Sequence, residues 1–473
     1  MQIYNTLSRK KEKLQTIEPG KITIYVCGPT VYNYFHLGNA RPLVNFDTFR
    51  RYLEYKGYDV NYVLNFTDID DKVINRANEE GKTIREVSDF YIEQYFTDAD
   101  GLNVKRATTH PRATDYIDGM LVMIQGLIDK GFAYIAEDGV YYEVAKFKDY
   151  LKLSGFNKNE LMANVRVDVN SDNGKKDPAD FVLWKFKKEN EPYWESPWGD
   201  GRPGWHIECS VMSTHNLGDT FDIHCGGRDL IFPHHENEIA QSEAYTGHKF
   251  SNYWMHNGFI TVNDEKMSKS EGNFFLVRQI ADEYGYIPIR MFLLNTHYRN
   301  PVNYSIEMIG AAKSAFERIA NAHKNLEYII KQDGVFADIS VEDAQAQETE
   351  LLAQVERAVT HFEAAMDDDI NTADALGAIF DLVKEANIAL KNPTSREGLA
   401  RVYTVIDELS DVLGLAFAHE GEVPEEVLEL VKLRDEAKAA KDYAQADAYR
   451  DQIASLGYNV IDTAQGAKVE VLD

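Results

Sequence analysis

Residues 22–27 (ITIYVC) form a short apolar run rich in β-branched and aromatic side chains. Residues 40–56 then carry Leu43, Phe46, Phe49 and Leu53 at helical spacing and stop at Gly57, after which Val60, Tyr62, Leu64 and Phe66 alternate. Strand, helix and strand in this order predict a βαβ unit, whose strands must run parallel because the crossover packs back on the sheet. Ligands of such sheets bind beyond the carboxyl ends of the strands, and Cys27 and Thr67 fall at those two ends.

A second region of the same type follows from about residue 205. It offers an amphipathic segment WHIECSVMSTH, a strand FDIHC (221–225), a GGRD loop, a helix opened by Pro233 and closed near Gly247, and a strand YWMHNGFI (253–260). The stretch between, 111–195, has weaker periodicity and reads as an insertion. After about residue 310 the chain turns to long helices rich in Ala, Leu and Glu, interrupted by Pro393 and Pro424, which predicts a helical bundle. The fold class expected is α/β: a Rossmann-like domain with an insertion, then a helical bundle and a small C-terminal domain.

With 473 residues, 44% hydrophobic and 27% charged, the chain has the composition of a multidomain globular protein. Neither a membrane span nor the apolar core of a signal peptide is present, so a cytosolic protein is expected. Three widely spaced cysteines, Cys27, Cys209 and Cys225, do not suggest a disulfide framework and leave metal binding or plain burial open. The net charge of −27 disfavours non-specific binding of polyanions, so a nucleic-acid partner would need locally basic surfaces.

Two nucleotide motifs fail on inspection. Gly81-Lys82-Thr83 resembles the end of a P-loop, but Arg76 stands where its first glycine belongs. Gly199, Gly201 and Gly204 fit GxGxxG, yet no strand precedes them and Pro203 lies inside the loop.

Three other segments carry chemistry. HLGN (36–39) lies between the first strand and its helix, where backbone N–H groups and the helix dipole favour phosphate oxygens; Gly38 allows close approach, and His36 and Asn39 can donate hydrogen bonds. EKMSKSEGN (265–273) sets Lys266 and Lys269 on a polar segment suited to a transient polyphosphate. PHHENE (233–238) places His234 and Glu238 four residues apart on one helix face, able to share an ion. The metalloprotease pattern HExxH is excluded because Ile239 stands where its second histidine belongs. Together with Cys27 and Cys209, a Cys2HisGlu metal site is one reading; buried thiols beside a solvated acidic helix are the other.

HLGN after a first strand and KMSKS after the last resemble the two signatures of class I aminoacyl-tRNA synthetases. NFTDIDDK (65–72), GRPGWHIECS (201–210), GGRDLIFPHHENE (226–238) and HNGF (256–259) occur in the order of the cysteinyl-tRNA synthetase family, so the resemblance covers essentially the whole chain. It implies zinc ligands at Cys27, Cys209, His234 and Glu238, an amino-acid pocket containing Thr67, Trp205 and His224, and Asp229 on the ATP ribose. It further implies that His36, Gly38 and Asn39 hold ATP, while Lys266 and Lys269 close over the β and γ phosphates. Asn39 replaces the last histidine of the usual HIGH string, which keeps a donor but removes any imidazolium charge.

The implied partners are ATP with Mg²⁺, L-cysteine and tRNA(Cys), and the implied state is a monomer. The expected divisions are 1–110 and 196–264 for the two catalytic halves, 111–195 for the insertion, 265–310 for the KMSKS loop and stem contact, 311–410 for the bundle, and 411–473 for anticodon binding. Arg434, Lys438 and Lys441 recur at helical spacing and form an expected basic stripe for tRNA. Competing functions are a cysteine ligase with a small-molecule amine acceptor, a zinc-dependent RNA-binding protein that has lost catalysis, and a metallohydrolase; four protein ligands leave the last no obvious site for an activated water, although zinc can expand to a fifth ligand such as a substrate thiolate.

Overall fold

The computed structural model describes residues 1–157, 174–262, 265–266, 274–417, 424–463 and 466–471. They divide into two compact units. One comprises 1–316, 362–376 and 411–415, the other 317–361, 377–410 and 416–473.

The first unit is built on a four-stranded parallel sheet. Strand β1 (Lys21–Val26) leads through helix α1 (Leu37–Tyr55) to β2 (Asp59–Leu64). Helix α2 (Trp205–Leu217) precedes β3 (Phe221–Gly227), and helix α3 (Glu236–Thr246) joins it to β4 (Ser251–Asn257). The spatial order is β4-β3-β1-β2, with Ile24 opposite both Tyr62 and Ile223. Ile22, Ile24, Tyr25, Phe221, Ile223 and Cys225 are all buried, as both faces of a parallel sheet require. From β1 the chain crosses to one side and from β3 to the other, so the carboxyl ends of these two neighbours form a crevice at the switch point.

The strand ends are tightly joined there. Gly28 lies so close to β2 that a Cβ would stand 1.6 Å from the Asn65 carbonyl oxygen. Thr67 N donates to Pro29 O at 3.2 Å and Val31 N to Thr67 O at 3.1 Å, which extends the pairing past both strands. Behind Thr67, His110 is stacked on Phe66; its Nδ1 donates to Leu64 O (3.0 Å) while its Nε2 accepts the Ala107 N–H (3.1 Å).

Several elements begin elsewhere than their patterns suggest. Helix α1 starts at Leu37 rather than 40 because the His36 side chain caps it. Pro233 does not open α3: it lies in a turn, Ile231–His235, with Phe232 in extended conformation, and the helix begins at Glu236. The expected strand 253–260 is two strands, β4 and Ile260–Val262, separated where Gly258 meets residues 299–300 too closely for a side chain. The insertion holds a helix (Ile117–Asp129) and an antiparallel sheet of Ala133–Ile135, Gly139–Tyr142, Phe181–Phe186 and Gly201–Pro203, so it continues past residue 195. Gly201 and Gly204 serve that sheet: a Cβ would stand 2.1 Å from Lys185 O and 2.2 Å from Val182 O. Gly81 is a left-handed helix cap, so neither glycine motif forms a nucleotide loop.

The second unit is helical, with Leu326, Leu382, Val383, Val402 and Ile406 in its core. It ends in helices Glu425–Ala439 and Tyr443–Ser455 and a hairpin, Tyr458–Thr463 with Gly466–Val471, closed over Val427, Ile453 and Val460. The basic stripe needs correction here. Arg434 is 2% exposed and gives two hydrogen bonds to Asp462 (2.8 and 2.9 Å), and Lys438 lies 2.7 Å from the same carboxylate, so Arg434 holds the hairpin instead of facing a partner. Among the described residues no helix is long and apolar enough to cross a membrane.

His110 generates a pH prediction. Both ring nitrogens are engaged in the neutral form, and burial lowers its pKa from 6.5 to about 4. The folded pKa lies below the unfolded one, so its contribution is fully present above pH 6.5 and is lost as pH falls from there towards 4. Urea titrations should show stability declining across that window by at most about 3 kcal/mol from this group, and His110→Gln should flatten the decline.

Candidate active site

Side-chain alternation explains which residues gather at the crevice. Tyr25, His224 and Trp254 share one face of the sheet, with His224 opposite both Tyr25 and Trp254, and Cys27 and His256 continue that face two residues on. Cys225 points the other way and is fully buried, where burial pushes its thiol up. Helix α2 adds Cys209, the turn before α3 adds His234, and the first turn of α3 adds Glu238.

Cys27, Cys209, His234 and Glu238 converge, with one donor atom from each lying within 4.8 Å of all the others. Cys27 Sγ is 3.8 Å from Cys209 Sγ and 3.5 Å from Glu238 Oε1, and His234 Nε2 is 2.9 Å from Glu238 Oε1. Two sulfurs about 2.3 Å from one tetrahedral ion stand about 3.8 Å apart, so the sulfur spacing fits a shared metal. Cys27, His224, His235 and Glu238 make a second, overlapping set.

The electrostatics favour the donor form at Glu238 and Cys209 and oppose it at Cys27 and His234. Burial alone would raise the Glu238 carboxyl, but His224 and His234 hold it down at about 2. A hydrogen bond from Cys27 brings the Cys209 thiol to about 6, whereas burial keeps that of Cys27 high. Burial opposes charge on His234, yet Glu238 and Cys209 raise it to about 10.

Of the other expected residues, Trp205, Thr67 and His224 adjoin this cluster. Trp205, 40% exposed, stacks on the His234 ring at 4.2 Å and covers it. Thr67 is buried beside Asn65, whose amide donates to Thr67 Oγ1 (3.4 Å). His224 lies beneath: its Nε2 is 2.8 Å from Glu238 Oε2 and its ring stacks on Trp254 at 4.4 Å. His36, Gly38 and Asn39 form the first turn of α1, with Asn39 N donating to His36 Nδ1 at 3.2 Å. Asp229 is exposed in the turn Arg228–Leu230 that follows β3. Lys266 closes the short strand Glu265–Lys266, paired with Thr261 and Val262, while Lys269 lies outside the described residues.

Motif reading missed the residues that orient these donors. His206 Nδ1 is 3.0 Å from His234 Nδ1; His235 reaches both Cys27 Sγ (3.3 Å) and His256 (2.8 Å); and His256 meets Thr6 Oγ1 (2.8 Å). Asn65 accepts from Gly28 N (2.9 Å) and lies 3.9 Å from Cys209 Sγ. The density of histidine in WHIEC, FDIHC, PHHENE and MHN was the available signal.

Known structures share this architecture. Mycobacterium tuberculosis methionyl-tRNA synthetase in complex with methionyl-adenylate matches with a TM-score of 0.61 at 17% identity, over 84% of this chain and 90% of that one. The Agrobacterium radiobacter K84 agnB2 LeuRS in its ternary complex with tRNA and LeuAMS matches with 0.60 at 12% identity, over 85% of each. Residues 13–314 match the family described as tRNA synthetases class I (C) catalytic domain, and residues 361–418 match the DALR domain. The fold and its catalytic region are thus those of a class I aminoacyl-tRNA synthetase.

Proteins named cysteine–tRNA ligase from Caldicellulosiruptor saccharolyticus, Clostridioides difficile and Lachnospira eligens are 51%, 50% and 52% identical, each over 99% of both chains. The chain belongs to the cysteine–tRNA ligase family.

The donor cluster predicts how metal should be lost. Cys209→Ala and Glu238→Ala should each lower the metal retained per chain after dialysis against a weak chelator, read by atomic emission, whereas Cys225→Ser, on the opposite face, should retain it.

Proposed function

We propose that the crevice joins L-cysteine to the 3′ end of tRNA(Cys) in two steps, with zinc at Cys27, Cys209, His234 and Glu238. The observation that carries this reading is the convergence of two thiols, an imidazole and a carboxylate at the carboxyl end of the sheet. These donors match in type and number those that a tetrahedral zinc takes. Bound there, zinc supplies a soft Lewis acid that favours a thiolate over a hydroxyl, the one difference between cysteine and serine. Shape alone would separate such near-isosteres by only about 1–3 kcal/mol.

Thr67 and Trp205 frame the amino acid, and His224 orients Glu238 through their hydrogen bond. ATP enters as its magnesium complex. His36, Asn39 and the backbone at Gly38 receive its phosphates at the α1 N-terminus, Asp229 accepts from its ribose hydroxyls, and Lys266 and Lys269 cover the β and γ phosphates.

In the first step a carboxylate oxygen of cysteine attacks the α-phosphorus, the bond to the β-phosphate oxygen breaks, and pyrophosphate leaves with the electron pair. In the second a terminal ribose hydroxyl of the tRNA attacks the acyl carbon and loses its proton, and AMP departs. Neither step uses a protein nucleophile, so catalysis rests on positioning and charge stabilisation. The region from about 311 and the tail from about 411 serve the tRNA stem and anticodon, on a monomer working in the cytosol.

Lys269→Ala should slow cysteine-dependent ATP–pyrophosphate exchange by about 100-fold or more, as loss of a transition-state charge contact does, while cysteine affinity stays within twofold. An equal loss of cysteine affinity would refute that role. Charging of total tRNA with labelled cysteine and, separately, labelled serine tests the whole reading: label from cysteine alone is expected. Pyrophosphate exchange without label on tRNA would move the acceptor to a small-molecule amine.

A further inference from the structure

Arg41 stands one turn beyond Gly38 on α1 and has no access to solvent, yet among the described residues it forms no ion pair. Its guanidinium is spent on main-chain carbonyls. Nη1 donates to Phe259 O at 2.7 Å; Nη2 donates to Asn300 O, to Tyr298 O at 3.3 Å and to His297 O at 3.5 Å.

These carbonyls belong to the two ends of one excursion of the chain. Phe259 precedes the strand Ile260–Val262, from which the chain continues to Lys266 and Lys269; His297–Asn300 precede the strand Val302–Tyr304, which pairs in parallel with Ile260–Val262. The ends are fastened to each other as well, by Gly258 N to Tyr298 O (2.8 Å) and Val302 N to Phe259 O (2.9 Å). Gly258 makes the approach possible, since a Cβ there would stand 2.4 Å from Asn300 O. A second attachment lies at the HLGN turn itself, where Leu37 N donates to Phe275 O (3.0 Å) and Val277 N to Phe35 O (3.1 Å). The excursion bearing the KMSKS lysines is therefore anchored to the helix bearing HLGN at two places, and Arg41 makes the deeper one.

A buried arginine confined to carbonyls is a costly device for packing alone, because an apolar residue could fill the space without desolvating a charge. Its planar fork is suited to holding several acceptors at fixed relative positions. We propose that Arg41 is a positioning residue for ATP activation: it fixes the base of the Lys266/Lys269 excursion against α1, so that the two phosphate-binding motifs meet the same polyphosphate. This rests on the reading of HLGN and KMSKS as the ATP site, but it assigns to Arg41 a role separate from ligand contact.

The test compares wild type, Arg41→Lys and Gly258→Ala in cysteine-dependent ATP–pyrophosphate exchange, with zinc content, cysteine binding and thermal unfolding measured on the same preparations. Arg41→Lys keeps the charge but cannot span both ends; Gly258→Ala keeps Arg41 and displaces the joint from the other side. Misplacement by about 1 Å can cost about 100-fold, so each variant should lose at least about 10-fold in kcat and show a raised KM for ATP, with KM for cysteine and zinc content within twofold of wild type. A folded Arg41→Lys with normal exchange, or with the KM values for ATP and cysteine rising together, would overturn the proposal. If Arg41→Lys fails to fold, Gly258→Ala decides by the same criteria, and its failure to fold as well would make the joint a requirement of folding and overturn a specific role in ATP positioning. Absence of exchange in wild type would instead sink the underlying reading of the ATP site.

Discussion

A carboxylate removed from water must be matched by partners or give up its charge, and the floor of the crevice is organised around that requirement at Glu238. Its two oxygens meet His224 and His234, and those rings are oriented by Trp254, Trp205 and His206. These groups arrive from several segments, so the geometry of one side chain depends on the correct placement of β3, β4, α2 and α3 together. The parallel sheet supplies that placement. Its alternation aims Tyr25, Cys27, His224 and His256 at one side, and the divergence of the chain between β1 and β3 opens the space they fill.

The sheet was legible because each of its elements has a period of its own. Runs such as ITIYVC and the spacing Leu43, Phe46, Phe49, Leu53 are imposed by burial, and burial is what a pattern of apolar residues records. Boundaries were less legible. A histidine cap at position 36 is not among the usual capping residues, and Pro233, read as a helix opener, sits in a turn whose form is set by tertiary packing. The four candidate metal donors could be carried over from family motifs, but spacing alone could not separate them from buried thiols. Cys27 and Cys209 are brought together by the fold.

What remained invisible were partners far away in the sequence. Nothing near Arg434 announces Asp462, which lies on the hairpin and withdraws Arg434 from the expected contact surface into an internal brace. Nor does anything around Arg41 signal that the backbone at 259 and 297–300 will receive it. His206, His235 and His256 are unremarkable one at a time and become a connected set only when three elements meet. Polar residues satisfied by distant backbone or by one another leave no periodic trace, which is why the supporting residues were harder to read than the donors they support.

The distance along the chain between the two sulfur donors has a thermodynamic consequence. Cys27 and Cys209 are 182 residues apart, so an ion held by both acts as a reversible cross-link closing a very long loop. An unfolded chain could assemble that donor set only at a large entropic cost, and the metal must therefore bind the native state far more tightly than the unfolded one. By mass action every tenfold rise in free ion above the dissociation constant adds about 1.4 kcal/mol to the folding free energy. For a chain that holds such an ion, its lifetime and the supply of the metal would in this way be one linked quantity, and scarcity of the ion would be felt as fragility of the fold as well as loss of the acceptor for a substrate thiolate.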